Sequence, residues 1–167
     1  MALNAILGDS EQNSYVTEDQ ATTYFSDRAF SQDWEEFEEK AKLLILSSSM
    51  IDWYVSFKGI KTVASQNMAW PRTGAIRSDG TTIGEAELPP EIKIAVYELA
   101  LSSIEEDRSS DNPLTGIESL KAGPLSLKAD IENFRSNKKK PIPEKVRNIL
   151  SDITKNSGIG IVRLMRA

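Results

Sequence analysis

Residues 33–57 read DWEEFEEKAKLLILSSSMIDWYVSF, and their periodicity decides the fold class. Trp34, Phe37, Ala41, Leu44, Ser48, Ile51 and Val55 recur every three or four positions, the stripe of an amphipathic helix. Leu43 and Leu46 widen the stripe, so this helix is expected to pack on more than one side. Asp33 and Glu36 make a capping-box pattern, and Glu35, Glu36, Glu38 and Glu39 put negative charge at the positive end of the helix dipole. The pattern predicts one helix from about 34 to 57, ending near Gly59. The acidic run EEFEE reads as a solvated helix start. No partner base or metal set lies near it in sequence to make it a carboxylate pair for acid–base work.

Upstream, TEDQ at Thr17–Gln20 is a second capping box, followed by Ala21, Tyr24, Phe25 and Arg28 at helical spacing. A short helix from about 18 to 28 is expected. Tyr24 and Phe25 are assigned to the core, with ligand stacking as the alternative. Downstream, Pro89 and Pro90 stand where prolines open a helix. Ile92, Val96, Leu99, Ala100, Ser103 and Ile104 then mark one face of a second core helix, about 90 to 106.

Between the two core helices lies AWPRTGAIRSDGTTIGEAELPPE, residues 69–91, after a polar connection that runs to Asn67. Trp70 is expected to bury its ring, Pro71 to stiffen the turn and Arg72 to reach a carboxylate or a backbone carbonyl. Gly74 releases the chain into a hairpin over Ile76–Ile83, turned at Asp79-Gly80. Two such strands are marginal in water and must lean on something else.

From Asp107 to Gly116 the residues are those of a loop, and 117–130 suggests a second, looser hairpin around Gly123-Pro124, with Leu120, Leu125 and Leu127. NFRSNKKKPIP is basic and rich in breakers, a linker. Pro143 opens a last helix striped by Val146, Ile149, Leu150 and Ile153, and NSGIGIVRLMRA closes the chain as an apolar tail. The expected architecture is mainly α: a small helical bundle with one or two β-hairpin projections and an extended C-terminal helix plus tail. It divides into a helical core with hairpin insertions, 1–134, and a basic linker, amphipathic helix and tail, 135–167.

The 167 residues suit one compact domain with a tail, and a 40% hydrophobic, 27% charged composition is ordinary for a soluble globular protein. The N-terminus has no basic start or long apolar core, and no apolar run is long enough to span a bilayer. A soluble protein made in the cytoplasm, with no membrane partner, is expected. No cysteine and no histidine occur, which removes disulfides, thiolate metal sites and the commonest general base. There is no phosphate-binding loop, dinucleotide fingerprint or nucleophile elbow. Ser47-Ser48-Ser49 more plausibly admits a neighbouring helix than serves as a nucleophile, since nothing nearby could activate it. The SDG at 78–80 is better explained as a turn than as a calcium loop. The expectation is a protein that is not an enzyme, with no catalytic residue, cofactor or metal.

A net charge of −5 argues against a general nucleic-acid binder, but one local patch runs the other way. Arg135, Lys138, Lys139, Lys140, Lys145 and Arg147 could contact phosphates, with Phe134 stacking on a base. The alternative is a solvated linker, free or facing an acidic surface such as the EEFEE helix of a neighbouring copy.

Taken together, NSYVT at 13–17, AWPRTG, the Asp79-Gly80 turn, LPPEIKIAVYELAL at 88–101 and KAGPLSLK at 121–128 resemble a group of tailed-phage proteins. These are commonly labelled DnaT-like single-stranded-DNA-binding proteins, and in virions members look like head–tail connector (adaptor) subunits. The resemblance covers about residues 13–130. It implies a structural ring subunit, usually in twelve copies, joining the portal to a tail or nozzle protein and lining the DNA channel at the head–tail junction of a virion. Transient, non-specific contact with the phage genome is implied as well, and the acidity of the chain would let the genome slide. The two long helices would form the core. The hairpin at Asp79-Gly80 and the 117–130 arm would project toward a neighbour, the channel or the tail. The segment 143–167 would dock on the portal or a neighbouring subunit through Val146, Ile149, Leu150, Ile153, Ile159, Ile161, Val162 and Leu164. Ile159, Ile161 and Val162 could add a strand to a partner's sheet edge or pair within their own subunit. The alternative function is single-stranded-DNA binding in phage replication.

Overall fold

The computed structural model describes residues 2–104, 108 and 140–155, and the backbone of 119–122 and 125–128. The fold is mainly α. In chain order it contains α1 (Glu18–Ser26), α2 (Gln32–Glu36), α3 (Lys40–Tyr54), β1 (Ile60–Lys61), β2 (Arg72–Thr73), α4 (Pro90–Ile104), β3 (Ser119–Ala122), β4 (Leu125–Lys128) and α5 (Glu144–Leu150).

Helix α3 packs on α4, and α5 packs on α4 as well. The wide apolar surface of α3 buries Leu43, Leu44, Ser47, Ser48, Met50 and Ile51. Helix α4 buries a still larger share, from Ile92 through Ala95, Val96, Tyr97, Leu99 and Ala100 to Ser103. Of the serine run, Ser47 and Ser48 lie in the core, where Ser48 Oγ accepts the Tyr15 amide at 3.1 Å. Helix α1 opens with the expected reciprocal cap. Thr17 Oγ1 accepts the Gln20 amide at 3.3 Å, and Gln20 Oε1 accepts the Thr17 amide at 3.1 Å. Phe25 then lies against Trp34, ring centroids 4.7 Å apart, while Tyr24 stacks on Tyr97 at 4.6 Å.

The single helix expected over 34–57 is two. Helix α2 ends where Phe37 turns extended (φ −76°, ψ 124°), and α3 starts after Glu39. Four glutamates within five positions repel one another at helical spacing, and the break separates them while leaving Trp34 buried. The capping box expected at Asp33 and Glu36 is also absent. The N-cap is Ser31, whose hydroxyl instead lies 2.9 Å from the carbonyls of both Phe25 and Arg28 and shares its one proton between them.

The region read as a polar connection holds β1, which pairs antiparallel with β2 in the register Ile60 to Thr73 and Lys61 to Arg72. Gly59 makes the approach possible. Its φ is +73°, and a Cβ there would lie 2.5 Å from the Thr73 carbonyl oxygen. The hairpin expected over 76–83 is reduced to one bridge, Ile76 to Thr82. Its turn stands where expected: the Gly80 amide donates to the Arg77 carbonyl at 3.0 Å, with Gly80 at φ +89°. The second hairpin is β3 with β4, antiparallel, placing Leu120 opposite Leu127.

The C-terminal helix is not held apart from the bundle. Ile142, Val146, Leu150 and Ile153 belong to the same core as α3 and α4, and Ile149 packs against it. Beyond α5, the chain runs beside 56–58. Lys58 donates its amide to the Ile153 carbonyl at 3.0 Å, and Lys155 donates to the Ser56 carbonyl at 2.8 Å. The Ser78 amide donates to Asp152 Oδ1 at 2.8 Å, tying the tip of the 76–82 turn to the same segment. Among the described residues, no helix is long and apolar enough to cross a membrane.

Candidate nucleic-acid interface

The AWPRTG segment is a scaffold. Trp70 is fully buried, edge-on to Phe57 at 5.7 Å, and the peptide joining it to Pro71 is cis. Arg72 lies beneath the turn and donates to three carbonyls: Lys58 at 2.8 Å, Gly59 at 2.7 Å and Ala69 at 3.0 Å. Gly74 takes φ +70°, Asp79 accepts the Thr81 amide, and Pro89 is buried just before Pro90 begins α4. These residues shape the loop; none of them lines a cleft with free cations.

Two carboxylates, Asp52 half-buried and Glu98 buried, hold the loop and the C-terminal segment in place. Asp52, on α3, accepts the Ala69 amide at 2.7 Å through Oδ2 and the Tyr15 hydroxyl through Oδ1. Burial raises its pKa despite those hydrogen bonds, and burial beside this carboxylate pushes Tyr15 well above the usual tyrosine range. Glu98, on α4, is 6% exposed and gathers three elements. Arg28 reaches it in a forked pair at 2.8 and 3.0 Å, Tyr24 donates at 2.8 Å and Lys145 at 2.7 Å. Burial opposes the charge, but hydrogen bonds from Arg28, Lys145 and Tyr24 outweigh it and hold Glu98 at about 2. Burial and the same carboxylate push Tyr24 up to about 12.

The basic patch read from the sequence is divided. Arg135, Lys138 and Lys139 lie outside the described residues, as do Phe134 and the tail residues Ile159, Ile161, Val162 and Leu164. Lys140 is exposed. Lys145 is turned onto Glu98 and largely neutralised. Arg147 stays on the outer side of α5, with one hydrogen bond from Nε to the Ile142 carbonyl at 3.3 Å. The stripe expected to meet a portal or neighbouring subunit is closed off where it is described: Val146, Leu150 and Ile153 are at most 1% exposed, covered by the protein's own core.

What the structure assembles in their place is a cleft of about 230 Å³ at the seam between α3 and the C-terminal segment. Tyr54, Ser56, Arg147, Leu150, Thr154 and Lys155 line it. Tyr54 is the last residue of α3 and is 51% exposed; Trp53 beside it is 68% exposed. The sequence carried a signal for both aromatics, since positions 53 and 54 fall off the buried stripe of that helix. Nothing local in the sequence brings Lys155 or Arg147 to Tyr54, because the backbone bonds from 153–155 to 56–58 do so. Glu98 and Asp52 were missed for the opposite reason: each is a lone acid within an otherwise apolar helix face, a pattern that reads as noise in periodicity.

No curated protein and no solved structure matches the chain. A family model does, from residue 4 to residue 167, and so extends past the motifs at 13–130 through α5 to the C-terminus. Its description is "Putative DnaT-like ssDNA binding protein", and by a match over almost its whole length this chain belongs to that family.

Proposed function

We propose that the protein binds single-stranded DNA without catalysing a reaction on it. The observation that carries this reading is the family match over residues 4–167. The cleft at the end of α3 supports it, since it sets an exposed aromatic beside cations that join no ion pair among the described residues, and an aromatic beside cations is how single strands are held without sequence preference. An overall charge of −5 is no obstacle to a local site, but it predicts weak binding that falls steeply with salt. The test is a titration of the full chain into a labelled oligothymidylate at low and moderate salt. Binding that weakens linearly on a log–log salt plot supports the reading; no binding at low salt sinks it.

A second reading is a head–tail connector subunit, assembled as a ring of about twelve copies between the portal and a tail or nozzle protein in a phage virion. Specific features favour it. The motif resemblance over 13–130 points there, and Phe30, Ile60 and Ile76 stand exposed at 86%, 69% and 46%, apolar surface of the kind that neighbours cover. An acidic ring would let the genome slide past with only transient contact. Finding the protein stoichiometric in purified particles would establish this role, and its absence from them would remove it.

A further inference from the structure

We infer that the cleft between Tyr54 and the segment 147–155 is the site where a single-stranded nucleic acid places one nucleotide, with its base on Tyr54 and its phosphate on Arg147 and Lys155. The inference rests on the single-stranded-DNA reading above and gives it a location.

Three properties of the cleft select this chemistry. First, among the described residues its one ring is that of Tyr54, half exposed at a helix end, with Val55 and Leu150 lining the cleft beside it. A flat apolar partner can cover that ring and displace its water. Second, among the described residues the charged side chains lining it are both cations, Arg147 and Lys155, and neither joins an ion pair there. Asp152, in the same segment, does not line the cleft and accepts the Ser78 amide instead. Third, Ser56 lines the cleft with a hydroxyl that can donate to a phosphate or sugar oxygen, while the Thr154 hydroxyl donates to the Ser151 carbonyl at 3.3 Å and can accept from a sugar hydroxyl. A ligand with one flat face and one anionic group answers all three. The cleft is smaller than the roughly 300–1,000 Å³ of a drug-sized pocket, and so suits a single ring-and-phosphate unit.

The geometry also favours a single strand over a duplex. In a duplex the base faces are stacked on one another and cannot reach Tyr54, so only the two phosphate contacts would remain. Both sides of the cleft are fixed to each other by the backbone bonds between 56–58 and 153–155, so the aromatic and the cations are held in register before any ligand arrives.

The experiment uses the full chain and a labelled oligothymidylate at low salt. Tyr54→Ala should weaken binding about tenfold or more. Arg147→Gln with Lys155→Gln should weaken it and lower the log–log salt slope by roughly 0.7, the share of one phosphate on a single strand. All three side chains are solvent-exposed, so these variants should keep the wild-type melting temperature; the double variant decides alone if Tyr54→Ala does not fold. Lys42→Gln, an exposed lysine elsewhere on α3, should leave binding unchanged. A duplex of the same length should bind more weakly and be indifferent to Tyr54→Ala. If wild-type protein binds and both cleft variants bind equally well, the site is elsewhere and the inference fails while the single-stranded-DNA reading stands. If the duplex binds as tightly as the single strand, the stacking role of Tyr54 is overturned. If the wild-type chain binds nothing, both readings fall together.

Discussion

Arg72 uses all three of its nitrogens on backbone carbonyls from two separate stretches of chain, Lys58–Gly59 and Ala69. The planar fork of a guanidinium spreads these donors over three nitrogens, whereas an ammonium carries all of its donors on one. Arg72→Lys should therefore lower the stability of the isolated protein by roughly 1–2 kcal/mol, read from a urea midpoint. An unchanged midpoint would mean the fork contributes nothing. At this scale the sequence is informative about type and silent about address. An arginine after Trp-Pro in a turn suggests a carboxylate or carbonyl partner, but the choice depends on β1 lying against β2, and no local pattern announced β1. Asp52 is a harder case still. Its acceptance of the Ala69 amide joins residues 17 positions apart, and only the folded chain brings them together.

Among elements, periodicity located α1, α4 and the buried faces of α3 and α5, because those depend on which residues avoid water. It failed at the α2–α3 break, where the spacing of Trp34 and Phe37 satisfies one long helix or two. It also failed to say which surface the stripe of α5 covers. That stripe lies in the protein's own core, with Leu150 fully buried. Leu150→Ala should cost about 2–5 kcal/mol in the isolated chain, measured by thermal unfolding. A stripe reserved for another protein would instead leave the isolated chain unaffected and weaken only the assembly. The other apolar residues assigned to a partner, in 156–167, lie outside the described residues.

Over the whole molecule, Glu98 on α4 is the point where Tyr24 of α1, Arg28 just after that helix and Lys145 of α5 converge. Its folded value of about 2 lies below the usual 4.5. A carboxyl depressed in this way stabilises the fold above its unfolded value, and that contribution is lost as pH falls through the folded one. Stability should therefore decline between about pH 4.5 and 2. Glu98→Gln should lessen that decline while lowering stability at neutral pH by roughly 2–3 kcal/mol, because Arg28 and the more exposed Lys145 lose their shared partner. A variant with the wild-type acid profile would show that other groups set it. The docking of 140–155 carries one more consequence, for how the chain is made. Lys58 waits for Asp152, 94 positions later, and the side of α4 that α5 covers stays open until then. A ribosome adding about 5–20 residues per second needs roughly 3–10 s to pass from Ile104 to Ile153. For that interval the nascent protein carries a finished helix with an uncovered apolar wall, and the core closes only once residues 142–153 have been added.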